Sequence, residues 1–335
     1  MLKNITVSCS PHISKHISTR SIMVDVIIGL VPAMAAACYY FRSRAVIILA
    51  ACIISALVTE WCCNLLRKKP NSLGDFSAVV TAIILALSLP PAIPFWAAII
   101  GSAFAIAIGK MVFGGLGANI FNPAMVARAF LTASFGAMMT TFTVPAPIDL
   151  AMPAISAVNT TAITQATPLA WSKQAVKKQS DTSIVNDQLK AAFTGNVGGC
   201  LGETSTIALL IGGLYLLIRK TIDYLIPMSV IVSAALFALI FYWIDPHMYM
   251  SPLMHLTTGG MLICAFFIAT DPVTAPLAKI GKLIFGAGVG IMIMLIRIVG
   301  EYPEGIMYAI LLMNALSPLI DWLCKRVPQG GKPNA

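Results

Sequence analysis

Long apolar stretches, separated by short polar connections, dominate the sequence. An α-helix needs about 20 apolar residues to cross a bilayer, and windows of that kind give ten spans. They are residues 21–41, 45–65, 75–90, 93–112, 120–135, 204–218, 222–243, 254–270, 281–299 and 305–323. The third and fifth are short and carry Pro or Gly at their ends, which is typical of broken or re-entrant segments. The pattern predicts an all-α, polytopic membrane protein with about ten transmembrane helices.

Composition agrees with this prediction and limits the chemistry. The chain is 58% hydrophobic and 10% charged, and its mean hydropathy is +0.87, whereas soluble domains are about 25% charged. The eight cysteines contain no Cys-x-x-Cys pair, and the four histidines do not cluster. This argues against a metal or iron–sulfur site within the chain. Any hard redox chemistry would then come from a bound cofactor.

Basic residues are distributed unevenly between the two predicted faces. One face collects Lys3, Lys15, Arg20, Arg67, Lys68, Lys69, Lys110, Arg219, Lys220, Lys279, Lys282, Lys325, Arg326 and Lys332. The other face has only Arg42 and Arg44 in its short loops, beside acidic residues. The positive-inside rule therefore predicts that both termini are cytoplasmic and that the long segment before the sixth span is extracytoplasmic. The net charge of +9 therefore reflects membrane topology. It does not indicate nucleic-acid binding, because the sequence has no stripe of basic residues interleaved with aromatic residues.

These spans divide the chain into four parts. Residues 1–135 form a first transmembrane half, 136–203 an extracytoplasmic loop, 204–324 a second half and 325–335 a cytoplasmic tail. The apolar run after the basic N-terminus has no small-residue cleavage site, so we expect an uncleaved first helix. Two faint echoes hint that the halves are related and inverted. The first pair is Gly74-Asp75-Phe76-Ser77 with Gly202-Glu203-Thr204-Ser205, which fall on opposite faces as inversion requires. The second pair is Asn122-Pro123 with Asp271-Pro272, and both of its members fall near the cytoplasmic face, which does not fit inversion.

The most conspicuous polar interruption of the chain is the segment 159–170, which is rich in hydroxyl residues and ends in Ala166-Thr167-Pro168-Leu169-Ala170. Proline restricts Thr167 to extended or turn geometry. One interpretation is a Ser/Thr-rich extramembrane loop without chemistry. The other is a covalent attachment site that uses a threonine hydroxyl.

Polar residues inside the predicted spans are further candidates, because a charge within a bilayer is costly. Asp25 lies near the cytoplasmic end of the first span, and Arg297 lies near the outer face, where snorkelling is an equally good explanation. Arg128 follows Asn119 and Asn122 on a short predicted helix behind Gly114, Gly115 and Gly117. Amides at a helix start suit the edge of a planar polar ring or a phosphate, and equally suit helix capping.

Several stretches resemble the RnfD/NqrB family, which comprises the D subunit of the Rnf electron-transport complex and the B subunit of the sodium-pumping NADH:quinone oxidoreductase. They are residues 114–130 (GGLGANIFNPAMVARAF), 267–276 (FIATDPVTAP), 284–290 (IFGAGVG), 302–305 (YPEG) and 312–321 (LMNALSPLID). The likeness extends over nearly the whole chain. The short N-terminus is more similar to the Rnf D subunit.

The resemblance implies specific cofactors and sites. In that family FMN is joined by a phosphoester to the last threonine of a Ser/Thr-Gly-Ala-Thr motif outside the membrane. The matching residues here are Thr164-Gln165-Ala166-Thr167, which makes Thr167 the expected attachment residue and implies a flavin transferase as a partner. A second, non-covalent flavin similar to the family's riboflavin would lie near Asn119 and Asn122.

The resemblance also implies a function: a flavoprotein subunit of a bacterial inner-membrane translocase that couples electron transfer between ferredoxin and NAD to movement of Na⁺ or H⁺. Its partners would be the other Rnf subunits, of A, B, C, E and G type. It would not be catalytic alone. Two alternatives stay open from the residues themselves: a solute channel or transporter built from two five-helix halves, and a passive membrane anchor.

Overall fold

A computed structural model describes residues 18–142, 167–178, 193, 198–203, 205–300, 302 and 304–324. Every regular element among them is helical. The helices are α1 (Thr19–Leu66), α2 (Ser77–Leu87), α3 (Phe95–Ile106), α4 (Pro123–Ser134), α5 (Gly136–Met139), α6 (Pro168–Lys178), α7 (Thr206–Ile218), α8 (Leu225–Ile244), α9 (Pro252–Thr257), α10 (Met261–Ile263), α11 (Lys279–Ile298) and α12 (Ile306–Leu323). A 3₁₀ turn (Leu73–Asp75) precedes α2, and π-helical turns extend α3 (Ala107–Met111) and α10 (Cys264–Ile268).

Helix α1 combines the first two predicted spans. It has 48 residues, more than twice the length needed to cross a bilayer, and is broken at Arg42, where φ is 52° and ψ is −131°. The two arms fold back on each other. Lys110, which bonds to Glu60 near the end of the second arm, lines the same cavity as Ile22 at the start of the first.

In the described part of the chain, four helices are long and apolar enough to cross a membrane: α1, α8, α11 and α12. Three shorter apolar helical segments accompany them, at Ser77–Leu87, Phe95–Met111 and Thr206–Ile218. Many large apolar side chains on these helices are exposed, for example Ile54, Leu214 and Trp243, which is the expected surface of a protein whose solvent is lipid. The prediction of a helical, multi-pass membrane protein is therefore confirmed. The count of ten spans stays a prediction.

Helix α2 ends inside the bundle, as a broken segment should. Its carbonyl groups near that end would lack partners in a bilayer. The N–H of Gly202 donates to Leu87 O at 2.7 Å, and the N–H of Leu201 donates to Leu89 O at 3.0 Å. The segment that precedes α7 thus satisfies the end of α2 and joins the two halves of the chain.

The two pairs of similar segments found in the sequence are arranged differently in the structure. Ser77 opens α2 at one cavity and Glu203 lies at another, beyond the far end of α2, so the first pair lies at opposite ends, as an inverted repeat requires. Asn122-Pro123 and Asp271-Pro272 line one cavity together. A better counterpart of Asp271-Pro272 is Leu89-Pro90. Each dipeptide follows a short helix, and another proline lies four residues after its own, Pro94 after Pro90 and Pro276 after Pro272. The two dipeptides lie at opposite ends of α2.

Of the predicted loop 136–203, the described residues include α5, α6 and the segment 198–203. The remainder of that loop and the tail 325–335 lie outside the described residues, so these boundaries stay predictions.

Candidate functional site

The first candidate site is a cavity at the start of α6, which we call the Thr167 cavity. Its empty space, counted with the part open to solvent, is about 480 Å³. Residues from both halves of the chain line it: Arg128, Phe142, Thr167, Pro168, Leu169, Gly198, Gly199, Cys200, Glu203, Thr257, Thr258, Gly259 and Glu304. The cavity therefore combines a threonine hydroxyl with one arginine and two glutamates.

Thr167 is held in place by the helix that it begins. Pro168 is the first residue of α6, where its fixed φ suits a helix start and its missing N–H is no loss. The N–H of Ala170 donates to Thr167 Oγ1 at 3.1 Å, and the N–H of Trp171 donates to Thr167 O at 2.9 Å. The side chain is 7% exposed. Lys173 anchors α6 by donating to the carbonyl of Tyr302 at 2.6 Å.

The four charged residues around this cavity form two unequal pairs. Arg297 Nη1 donates to His255 O at 2.6 Å, and its Nη2 lies 3.1 Å from Glu304 Oε1. Arg128 Nη2 lies 3.7 Å from Glu203 Oε1 and 3.6 Å from the Cys200 sulfur, both at the limit of a real polar contact. Snorkelling is thus wrong for Arg297, which is buried in a structural ion pair.

The second candidate site, the Asn119 cavity, lies at the beginning of α2 and α4. Its empty space, with the part open to solvent, is about 740 Å³. Its lining mixes apolar side chains such as Phe266 and Phe267 with Ser77, Lys110, Asn119, Asn122, Thr270 and Asp271. The loop beside it passes through Gly114, Gly115 and Gly117 at φ of 133°, 110° and 92°, a region that glycine adopts without strain.

The two asparagines of this cavity differ in their hydrogen bonds. Asn122 is the N-cap of α4, and its Oδ1 accepts from the N–H groups of Ala124 and Met125 at 3.1 and 3.3 Å. Asn119 donates to Phe121 O at 3.2 Å, whereas its buried Oδ1 has no hydrogen-bond partner within the described residues. A buried carbonyl without a partner is costly, so Asn119 is the better candidate of the two for contacting a ligand.

A buried ion pair at the edge of the Asn119 cavity was missed from the sequence. Lys110 Nζ lies 2.7 Å from Glu60 Oε1 and donates to Ser77 Oγ at 2.6 Å. Lys110, which the sequence analysis counted among the charges of the basic face, is not a solvated charge: it lies in the π-helical turn after α3 and is 2% exposed. The signal was available, because Glu60 is a carboxylate inside the span 45–65 and needs a partner there.

The structure separates residues that the sequence placed together. Asn119 and Asn122 share one cavity, whereas Arg128 lies further along α4 and lines the Thr167 cavity. Asp25 accepts hydrogen bonds from Tyr215 and Thr221 and pairs with the partly exposed Arg219, a structural role. In the part of the chain that the structure describes, no group of three or more His, Cys, Asp or Glu side chains could hold a metal ion.

A helical membrane protein with broken helices and two polar cavities is the class that these observations define. The sequence profile of the NQR2, RnfD, RnfE family matches residues 6–330, and the chain belongs to this family.

Three relatives illustrate the similarity, and each is the D subunit of its complex. The one from the Na⁺-translocating ferredoxin:NAD⁺ oxidoreductase complex of Acetobacterium woodii is 44% identical, over 96% of this chain and 94% of the relative. The one from the proton-translocating ferredoxin:NAD⁺ oxidoreductase complex of Clostridium ljungdahlii is 41% identical, over 98% and 97%. The one from the ion-translocating oxidoreductase complex of Stutzerimonas stutzeri is 38% identical, over 94% of each chain.

Proposed function

We propose that this protein is the D subunit of an ion-translocating ferredoxin:NAD⁺ oxidoreductase complex in the bacterial inner membrane. We further propose that it carries FMN on Thr167 and a second flavin, similar to riboflavin, beside Asn119 and Asn122. Near full-length similarity to the D subunits of such complexes supports the first part. The position of Thr167 at a polar cavity supports the second.

The residues at the Thr167 cavity fit a phosphate ester. The hydroxyl oxygen lies at the N-terminus of an 11-residue helix, where backbone N–H groups and the helix dipole favour an anion. Arg128 adds a positive charge in the same cavity. Of the two glutamates there, Glu304 is neutralised by Arg297, and Glu203 lies 3.7 Å from Arg128. When bound there, a flavin would supply the electron carriage that amino-acid side chains cannot.

The burial of Thr167 has a consequence for attachment. A side chain that is 7% exposed is shielded from a second protein, so the flavin transferase must meet this segment before α6 docks or while it is displaced. Lys173 and its carbonyl acceptor at Tyr302 would then secure α6 over the modified residue.

The residues of the Asn119 cavity fit a neutral, planar polar ring. The unpartnered Oδ1 of Asn119 can accept a ring N–H, and Phe266 and Phe267 offer apolar contact. Between the two cavities runs α2, about 16 Å long by its helical rise. Two flavins at its ends would form part of an electron path through the bundle.

The coupling ion and the two faces of the membrane belong to the same proposal. The relatives named for Na⁺ and for protons are 44% and 41% identical to this chain, so similarity alone does not separate the ions. Because basic residues gather on the face of the termini, we place the termini in the cytoplasm and Thr167 outside.

The decisive experiment is co-expression of the chain with a flavin transferase. We expect a fluorescent band in a denaturing gel and a matching mass increment on the intact chain, and we expect both to vanish in Thr167→Ala. Thr161→Ala is the matched control, since it removes a hydroxyl of the same segment outside the motif and should keep the band. Persistence of the band in Thr167→Ala would refute the attachment site.

A further inference from the structure

Arg128 is the least satisfied buried cation of the Thr167 cavity. Its side chain is buried, yet its contacts within the described residues are a 3.6 Å approach to the Cys200 sulfur and a 3.7 Å approach to Glu203. A guanidinium has five N–H donors, and distances of this size are too long for strong hydrogen bonds. Arg297, by contrast, donates to two carbonyls and a carboxylate at 2.6–3.1 Å.

The carboxylate opposite Arg128 is also incompletely paired. Glu203 Oε2 accepts from the N–H of Cys200 at 3.3 Å, whereas the buried Oε1 has no hydrogen-bond partner within the described residues. The two groups are too close for an atom to fit between them, but the remaining N–H donors of Arg128 have no partner within the described residues. An anion with several oxygens in the cavity could take those donors bidentately.

The Thr167 hydroxyl and the start of α6 line the same cavity as this loose pair. We infer that Arg128 is a positioning residue that binds the phosphate of the group esterified to Thr167, in place of its long contact with Glu203. This inference rests on the proposed flavin attachment and deepens it. The ligand class is a phosphodiester, and Glu203 is its competitor for Arg128.

If Glu203 and the phosphate compete for Arg128, substitutions of Arg128 and of Glu203 should have different effects on the flavin content. If Arg128 and Glu203 only neutralise each other, removal of either charge leaves the other buried and unpaired, and both variants suffer alike. If Arg128 binds phosphate, Arg128→Gln should lower covalent flavin per folded chain about tenfold or more, because charged hydrogen bonds of this kind are lost. Glu203→Gln should leave the flavin content equal or higher.

The experiment compares the wild type with five variants after brief co-expression with the flavin transferase: Thr167→Ala, Arg128→Gln, Arg128→Lys, Glu203→Gln and Arg128→Gln/Glu203→Gln. Covalent flavin is measured by intact mass and gel fluorescence on material that is monodisperse in detergent. The double variant leaves neither charge of this pair without its partner, so it keeps the test valid if Arg128→Gln does not fold.

We expect the double variant to stay as low as Arg128→Gln, and Arg128→Lys to recover part of the content because it keeps the charge but not the fork. A double variant that returns to the wild-type content would overturn the role of Arg128 and leave the attachment site intact. A wild type without covalent flavin, or Thr167→Ala with it, would instead overturn the proposed function.

Discussion

Lys110 Nζ lies 2.7 Å from Oε1 of Glu60, and the two side chains are 2% and 0% exposed. A buried ion pair adds little net stability, but removing one partner leaves an uncompensated charge in a low-dielectric interior. We therefore predict that Lys110→Met lowers the free energy of unfolding by about 3–5 kcal/mol. The measurement is the thermal midpoint of the purified protein in detergent.

The double variant Glu60→Gln/Lys110→Met removes both charges and should recover most of the lost stability. Lys69→Met is the matched control, since Lys69 is exposed and its loss should change the midpoint little. If the double variant is no more stable than Lys110→Met, the effect comes from lost packing and not from the charge of Glu60.

Close packing of α1 on α7 depends on two glycines. A Cβ atom built on Gly212 would overlap the carbonyl oxygen of Gly29 and come within 3.1 Å of Phe267. Small residues let transmembrane helices approach in this way. We predict that Gly212→Ala destabilises the protein by about 1–3 kcal/mol, the usual cost of overpacking, measured as a lower thermal midpoint in detergent.

Gly136→Ala provides the comparison for that variant. A Cβ atom on Gly136 meets no other atom within 4 Å, and alanine favours a helix over glycine. Its stability should be equal to that of the wild type or slightly higher. A loss of similar size in both variants would argue that glycine substitution, and not the α1–α7 contact, is responsible.

The length of the apolar stretches was sufficient to predict that they are helical, because a chain in lipid must satisfy its backbone within each segment. Helical residues occupy most of each of the ten predicted windows, although one helix, α1, runs through the first two. Even the broken third window was foreseeable from its prolines. The bond from Gly202 to Leu87 was not, because a contact between residues so far apart in sequence leaves no mark on local hydropathy.

Side-chain partners were predicted less well, for the same physical reason. Asn119 and Asn122 share a cavity because they lie in one short loop, which sequence proximity reveals. Arg128 lies only six residues beyond Asn122 but lines another cavity, since each helical residue advances about 1.5 Å along the axis. The burial of Lys110 was not predicted, because it was counted among the charges of the basic face without a search for a buried partner.

The two asparagines of the Asn119 cavity should respond differently to substitution. Asn119→Leu removes an amide oxygen that has no partner in the described residues, so we predict loss of non-covalent flavin with a small change in stability. Asn122→Ala removes the N-cap of α4 and should cost about 1 kcal/mol. Acid-extractable riboflavin, quantified by chromatography, and the thermal midpoint separate these effects.

Asn122→Ser is the matched control, because its hydroxyl oxygen can cap α4 while the NH₂ group is removed and no charge is buried. It should retain the stability of the wild type, and any loss of riboflavin would assign that NH₂ group to the ligand. Undiminished riboflavin in Asn119→Leu would contradict a flavin site at this cavity.

Asp223 and Lys282 form a partly exposed ion pair at the turn between α7 and α8, with Lys282 Nζ 2.8 Å from Asp223 Oδ2. Burial pushes the pKa of Asp223 up, but the hydrogen bonds from Lys282 and Leu225 and the charges of Lys282 and Lys279 outweigh it and bring the pKa below its ordinary value of 3.8. A carboxylate with a lowered folded-state pKa stabilises the protein at pH values above its unfolded-state pKa. This contribution disappears as the pH falls through the folded-state pKa.

Asp223→Asn should therefore lose about 0.2–1 kcal/mol of stability at pH 7, a small effect because solvent screens the pair. The difference in thermal midpoint between wild type and variant should hold down to about pH 4 and shrink below it. A difference that persists unchanged at the lowest pH would assign the effect to uncharged hydrogen bonds such as that from Leu225.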